Sequence, residues 1–193
     1  MNYEKHKRII KSRLKPSRFN HTLNVVKMAS KLARIHGANE EKVVMGALYH
    51  DYAKNLSDQE LKAYIKHNNL KIDHFVWQNI FLSHGVVAAY MLEKEHNIND
   101  LDILNAIKYH TFGRRNMSLI EKIVYIADAI EIDRKYKHVD FIRELSYENI
   151  DVAIITYIDY FIEFAIKENK IIHLNTLDLR NEILENGILP RRV

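Results

Sequence analysis

Glycine occurs five times and proline twice in the 193 residues of this chain, which leaves little material for tight turns. An all-β fold reverses direction every few residues and draws on Gly and Pro to do so. A chain this poor in both is expected to be all-α, with long helices and few connections. Apolar residues make up 47% of it, enough for a sizeable core. No Pro/Ser/Gly-rich linker, low-complexity tract or strong internal repeat divides it, so a single domain over 1–193 is expected.

Hydrophobic periodicity and capping signals place the helices. A short amphipathic helix over 4–14 ends before Pro16, and a long one over 17–36 stops at Gly37. Its stripe is His21, Val25, Met28, Leu32 and Ile35. Asn39 caps a helix over 40–54, and Ser57 with Glu60 forms a capping box for one over 58–67. A looser segment, 68–82, holds the only Trp. Ser83 is expected to cap a helix over 84–95, and Asp100 one over 101–110 with the stripe Ile103, Ala106, Ile107 and His110. Ser118 and Glu121 make a second capping box, for a helix to about 131 with the stripe Ile120, Val124, Ala127, Asp128 and Glu131. A long apolar helix over 149–168 and a final helix over 177–186 follow. The segment 152–166 reads as core by default, with a homodimer face as the alternative.

Four of these helices carry residues that do not belong in an apolar core. His21 begins one stripe, His50 and Asp51 end another, His110 closes a third and Asp128 interrupts a fourth; His84 sits in the first turn of a further helix. Each alone has an ordinary reading, the His as a hydrogen-bonded core residue and the Asp as a cap or ion-pair partner. As a set, four His and two Asp, each on a separate helix apart from the adjacent His50–Asp51 pair, can converge in a bundle core, where metal sites are commonly built. Cysteine is absent, so a metal must be held by imidazole and carboxylate, which suits Fe, Mn, Co, Ni or Zn. Six ligands are too many for one catalytic ion. They fit two ions sharing a bridging carboxylate, an arrangement that serves phosphoester and phosphoanhydride hydrolysis.

The pattern is "SRFNHTLNV" (17–25), "ALYHDYAKN" (47–55), "LSHGVVAAYML" (82–92), "AIKYHTFGRRNMS" (106–118), "KIVYIADAIEIDR" (122–134) and "NTLDLRNEIL" (175–184). It resembles the YqeK family, bacterial HD-domain bis(5'-nucleosyl)-tetraphosphatases of the symmetrical type, over nearly the whole chain. The resemblance implies an HD-domain helical bundle with a dinuclear metal site in its core. That core spans about 17–134, with C-terminal helices over about 140–187 completing the nucleotide pocket. It implies His21, His50, Asp51, His84, His110 and Asp128 as ligands of two divalent ions, usually iron, with Asp51 as the bridge and catalytic residue. Lys54 would face the phosphates and take part in catalysis. Arg18, His84, Thr111 and Arg134 would contact phosphate or nucleotide. The stretch 171–176, with His173, Leu174, Asn175 and Thr176, would close over the nucleoside. The implied reaction cleaves diadenosine tetraphosphate into two nucleoside diphosphates. Tyr49, where an aliphatic residue is common, and the added Arg114 and Arg115 are small departures from the pattern.

A net charge of +4 and a pI near 9.1 suit such a polyanion without demanding nucleic acid. Two other readings compete. One is a different HD phosphohydrolase: a nucleotidase, a guanosine-tetraphosphate hydrolase or a cyclic-dinucleotide phosphodiesterase. The other is a non-catalytic nucleotide- or RNA-binding module, which the basic pI alone supports and which lacks any basic-aromatic ladder. The charged N-terminus "MNYEKHKRIIKSRL" carries no apolar signal region, and no apolar run approaches a membrane span, so a cytoplasmic location is the expectation.

Overall fold

Side-chain caps set most of the helix starts. The computed structural model describes residues 2–192, and no strand occurs among them. In chain order the helices are α1 (Tyr3–Arg13), α2 (Pro16–His36), α3 (Glu40–Tyr49), α4 (Asp58–His67), α5 (His74–Gln78), a 3-10 turn (Ile80–Ser83), α6 (His84–His96), α7 (Leu101–Tyr109), α8 (Leu119–Ile130), α9 (Val139–Glu148), α10 (Ile150–Lys167) and α11 (Leu174–Glu185). Asn39 accepts from the Lys42 N–H at the start of α3. Both expected capping boxes form, Ser57 with Glu60 and Ser118 with Glu121. Gly37 ends α2 in the left-handed region at φ +68°, where a residue without Cβ is unstrained.

The centre is built from α2, α3, α7 and α8, which pack on one another. Val25, Ala29 and Leu32 from α2 meet Val43 and Ala47 from α3, Ile107 from α7 and Val124 from α8, all fully buried. α6 covers α7, α9 and α10 lie against α8, and α11 leans on α10. Along α10, Ile154, Ile155 and Ile158 are buried in this core, whereas Phe164 and Ile166 are exposed. No helix among the described residues is long and apolar enough to cross a membrane.

Two boundaries and one cap differ from expectation, each for a local reason. α3 ends at Tyr49 rather than 54. Beyond it the chain tightens to bonds three residues apart, Tyr52 N–H to Tyr49 O and Lys54 N–H to Asp51 O (2.8 Å). In such a turn residues i and i+3 eclipse, so Lys54 stands over Asp51. Ser83 is not a side-chain cap: the 3-10 turn runs straight into α6, and its Oγ donates to Ile80 O instead. α11 begins at Leu174, three residues early, because the His173 imidazole caps it by accepting from the Asn175 N–H.

Two glycines permit close approaches that position the centre. A Cβ on Gly85 would lie 2.9 Å from Ile107 O and 3.3 Å from the His110 ring, so only glycine lets α6 approach α7 this closely. Gly113 sits at φ +69° with the Leu179 side chain of α11 where a Cβ would be. Gly85→Ala is therefore expected to cost about 2 kcal/mol, by analogy with overpacked cores. The corresponding fall in Tm is roughly 4–8 °C for a chain of this length. Unchanged thermal unfolding would show that α6 has room to spare.

Candidate metal centre

Asp51 is a carboxylate only 2% exposed, and its two oxygens face different neighbours. Oδ2 accepts from Arg18 Nη1 (2.9 Å) and lies 3.4 Å from His50 Nε2 and 3.9 Å from His21 Nε2. Oδ1 lies 3.2 Å from His84 Nε2 and 3.9 Å from His110 Nε2. Asp128 Oδ1 stands 3.0 Å from His21 Nε2. The six side chains singled out in the sequence thus come together in one cluster, His50, Asp51, His84 and His110 buried and His21 and Asp128 partly exposed. Two triads in it are spaced to hold a metal ion each, His21–His50–Asp51 and Asp51–His84–His110, with Asp51 common to both.

The backbone orients the rings. His50, His84 and His110 each follow the last residue of a helical segment: α3, the 3-10 turn and α7. A helix end leaves carbonyls without intrahelical donors. Each of these rings donates its Nδ1–H to such a carbonyl three residues back: Ala47 O (2.7 Å), Phe81 O (2.8 Å) and Ile107 O (2.7 Å). His21 lies inside α2, where the carbonyls are already used. Its Nδ1 instead meets the Glu131 carboxylate at 3.2 Å. In all four rings Nδ1 is held and Nε2 points inward with its lone pair.

Those lone pairs call for a cation. His84 Nε2 and His110 Nε2 face each other at 3.0 Å. The buried Nε2 atoms of His21 and His50 have no hydrogen-bond partner. Imidazole and carboxylate donors around such orphaned nitrogens fit a divalent transition metal, each ring being oriented by an outer acceptor. Burial and the adjacent His84 and His50 push the His110 pKa down to about 3, which keeps its ring neutral. Burial alone would raise the pKa of Asp51, but His50 and His84 outweigh it and hold the carboxyl well below its usual range. Asp128 is likewise held low: burial opposes this, and the facing His21 ring, the neighbouring imidazoles and the Arg134 guanidinium prevail. Both carboxylates are therefore ionised.

Three cations border the cluster. Arg18 pairs with Asp51, and Arg134 donates through Nη2 to Asp128 Oδ1 (2.7 Å). Lys54 Nζ lies 3.3 Å from His84 Nε2, and burial, reinforced by the nearby arginines, lowers its pKa. All three, with Thr111, line a cavity of about 790 Å³ that opens from the cluster towards α10. His173, Leu174, Asn175 and Thr176 do not line that cavity. They are joined to the turn after His110: the His173 ring stacks on Phe112 at 4.0 Å, Thr176 Oγ1 donates to Phe112 O and Asn175 Nδ2 to Gly113 O. Leu174 is exposed.

Two features of the site escaped the sequence reading. Glu131, only 3% exposed, was visible only as a member of the α8 stripe. The aromatic residues 136–164 that wall the cavity are indistinguishable in sequence from ordinary amphipathic spacing.

Comparison with known proteins gives consistent results. The HD domain family matches residues 18–133. The chain is 35% identical to a protein of Halalkalibacterium halodurans named bis(5'-nucleosyl)-tetraphosphatase, symmetrical, over 95% of this chain and 98% of that one. Proteins of the same name from Bacillus subtilis and Staphylococcus aureus are 37% and 36% identical, covering 88% and 94% of this chain and 91% and 94% of their own. The crystal structure of a protein described as a predicted HD superfamily hydrolase involved in NAD metabolism, from Clostridium acetobutylicum, superposes with a TM-score of 0.91 at 34% identity. The match covers 96% of this chain and 98% of that one.

The position of Glu131 can be tested through metal retention. Glu131→Gln keeps the size of the side chain and removes the charge behind His21. It is expected to weaken divalent-metal binding about 10-fold, the effect typical of an outer carboxylate behind a ligating His. The readout is metal content after dialysis against a graded chelator, with helix content followed by circular dichroism. Retention equal to that of the parent chain would exclude the role.

Proposed function

Because the chain belongs to the family of symmetrical bis(5'-nucleosyl)-tetraphosphatases, within the HD-domain family, we propose that it hydrolyses dinucleoside tetraphosphates at the central phosphoanhydride, turning diadenosine tetraphosphate into two molecules of ADP. The observation that carries this reading is the Asp51 carboxylate, with two inward-facing imidazoles on each oxygen. His21, His50, Asp51, His84, His110 and Asp128 would hold two divalent ions, iron being the expected metal, with Mn, Co, Ni and Zn compatible with the same donors. When bound, such ions supply Lewis acidity, making water nucleophilic near neutral pH and drawing charge from the phosphoryl oxygens.

The chain's own residues do the remaining work. A tetraphosphate bridging two nucleosides carries about four negative charges, and electrostatic stabilisation by positioned cations is the main lever in phosphoryl transfer. Arg18 and Arg134 stand outside Asp51 and Asp128 and would anchor the outer phosphates through their planar donors. Lys54, eclipsed over Asp51 and beside His84, would place a compact charge against the departing diphosphate. Thr111 and the segment 173–176, joined to the turn after His110, would contact the nucleoside of one half.

Product analysis with diadenosine tetraphosphate tests the reaction. ADP as the sole nucleotide product is expected, and AMP with ATP would overturn symmetric cleavage. Asp51→Ala should abolish turnover and lose at least one equivalent of metal; wild-type rates in that variant under metal-replete conditions would refute the bridging role. Lys54→Ala should keep its metal yet lose ~10²-fold in kcat and kcat/KM alike, as for one charged contact made chiefly in the transition state. A rise in KM alone would leave Lys54 merely attracting the polyanion.

A further inference from the structure

The cavity beside the metal centre changes character along its length. Its inner end is Asp51, His84 and His110, and Arg18, Lys54 and Arg134 border it. Beyond Asp128 the lining becomes aromatic: Tyr125 from α8, Tyr136 from the loop before α9, and Tyr157, Phe161 and Phe164 from α10. Tyr125 is 5% exposed, Tyr136 36% and Phe164 48%, so these rings mark a path from the buried centre to the surface. The rings are mutually braced, Tyr157 lying 6.0 Å from Tyr125, 6.2 Å from Tyr136 and 6.5 Å from Phe161. The loop carrying Tyr136 is fixed to α10 at its far end, where His138, at φ +70°, stacks on Tyr160 at 4.4 Å.

Resting on the tetraphosphatase reading, we propose that this aromatic arm of the cavity binds the second nucleoside of the substrate, its base held against the rings of Tyr136, Tyr157, Phe161 and Phe164. A substrate cut at its middle has two equal halves, and each needs a place on its own side of the centre. On the proposed function the segment 173–176, whose His173 ring stacks on Phe112, would serve one half. None of residues 173–176 lines the arm beyond Asp128, which starts at Arg18, Lys54 and Arg134 and ends in aromatic surface suited to a base. At about 790 Å³ the whole cavity is within the usual range for a small-molecule site. Aromatic side chains accept any base through its π-face, so this arm recognises a nucleoside without selecting among bases. It is also what separates a dinucleoside substrate from a free polyphosphate.

The test uses the metal-loaded chain and the double variant Tyr136→Ala/Phe164→Ala, both positions being near the mouth. KM for diadenosine tetraphosphate should rise ~10-fold, as expected for the loss of base stacking. Inhibition by inorganic tripolyphosphate, which offers phosphates and no base, should not move. Retaining the rings in Tyr136→Phe/Phe164→Tyr should restore most of the lost affinity. An unchanged KM in the alanine double variant overturns the proposal, as does an equal loss of tripolyphosphate inhibition, which would mean that the phosphate site itself had been disturbed. Sedimentation of both proteins addresses the other occupant of an exposed aromatic surface, a second copy of this chain: a dimer lost in the variant with KM unmoved also overturns the proposal. Failure of the parent chain to cleave diadenosine tetraphosphate would instead refute the tetraphosphatase reading, so the two failures are distinguishable.

Discussion

The Asp51 carboxylate sits almost fully buried in a helical core, and the rest of the architecture answers to it. Removing an ionised carboxylate from water costs several kcal/mol even in a relaxed protein interior, unless charges and hydrogen bonds surround it. Arg18 offers one such partner. Four imidazoles from three other segments of chain and from its own neighbour turn their Nε2 atoms towards it, so the remaining compensation would come from divalent cations held between them. Bringing them within 4 Å of one carboxylate requires α2, the end of α3, the 3-10 turn before α6 and the end of α7 to meet at a point. That convergence explains why α6 can tolerate only glycine at position 85 and why the helices at the centre are joined as they are.

Placing three of the rings at the ends of helical segments solves two problems together. The carbonyls that a helix end leaves open become acceptors for the ring Nδ1–H, so the local backbone sets the tautomer and direction of His50, His84 and His110. At His50 and His110 the ends of α3 and α7 also carry the negative pole of the helix dipole, which favours a cation there, whereas His84 opens α6. His21 is the exception that shows the rule. Lying within a helix, it has no open carbonyl, and the fold supplies Glu131 from α8 in its place.

Outward from this centre the chemistry grades from carboxylate and imidazole, through arginine and lysine, to aromatic rings. A polyphosphate with a nucleoside at each end has the same gradient. The cations are paired with the carboxylates in the structure, Arg18 with Asp51 and Arg134 with Asp128, so the positive layer is held in place by the negative one before any phosphate arrives.

The sequence by itself determined the helical class, most helix limits and the six side chains of the cluster. The physical reason is that each of these is a local anomaly or a local rule. Two capping boxes, a glycine stop and the scarcity of turn residues act within a few positions, and a His or Asp on an apolar stripe stands out against its own helix. Tertiary structure decided what depends on contacts between distant segments. The stretch around His50 and Asp51 reads as helix to Lys54, yet the chain tightens after Tyr49, where the His50 ring takes the Ala47 carbonyl to face a centre built largely from elsewhere. Glu131 reads as one more position on an α8 face, and becomes the partner of His21 only through a contact 110 residues apart. Tyr136 and Phe164 carry no mark in the sequence, because an aromatic residue on an amphipathic helix or loop looks the same whether it fills a core or walls a cavity. Only packing α10 against α8 leaves those rings facing the open space beside Asp128.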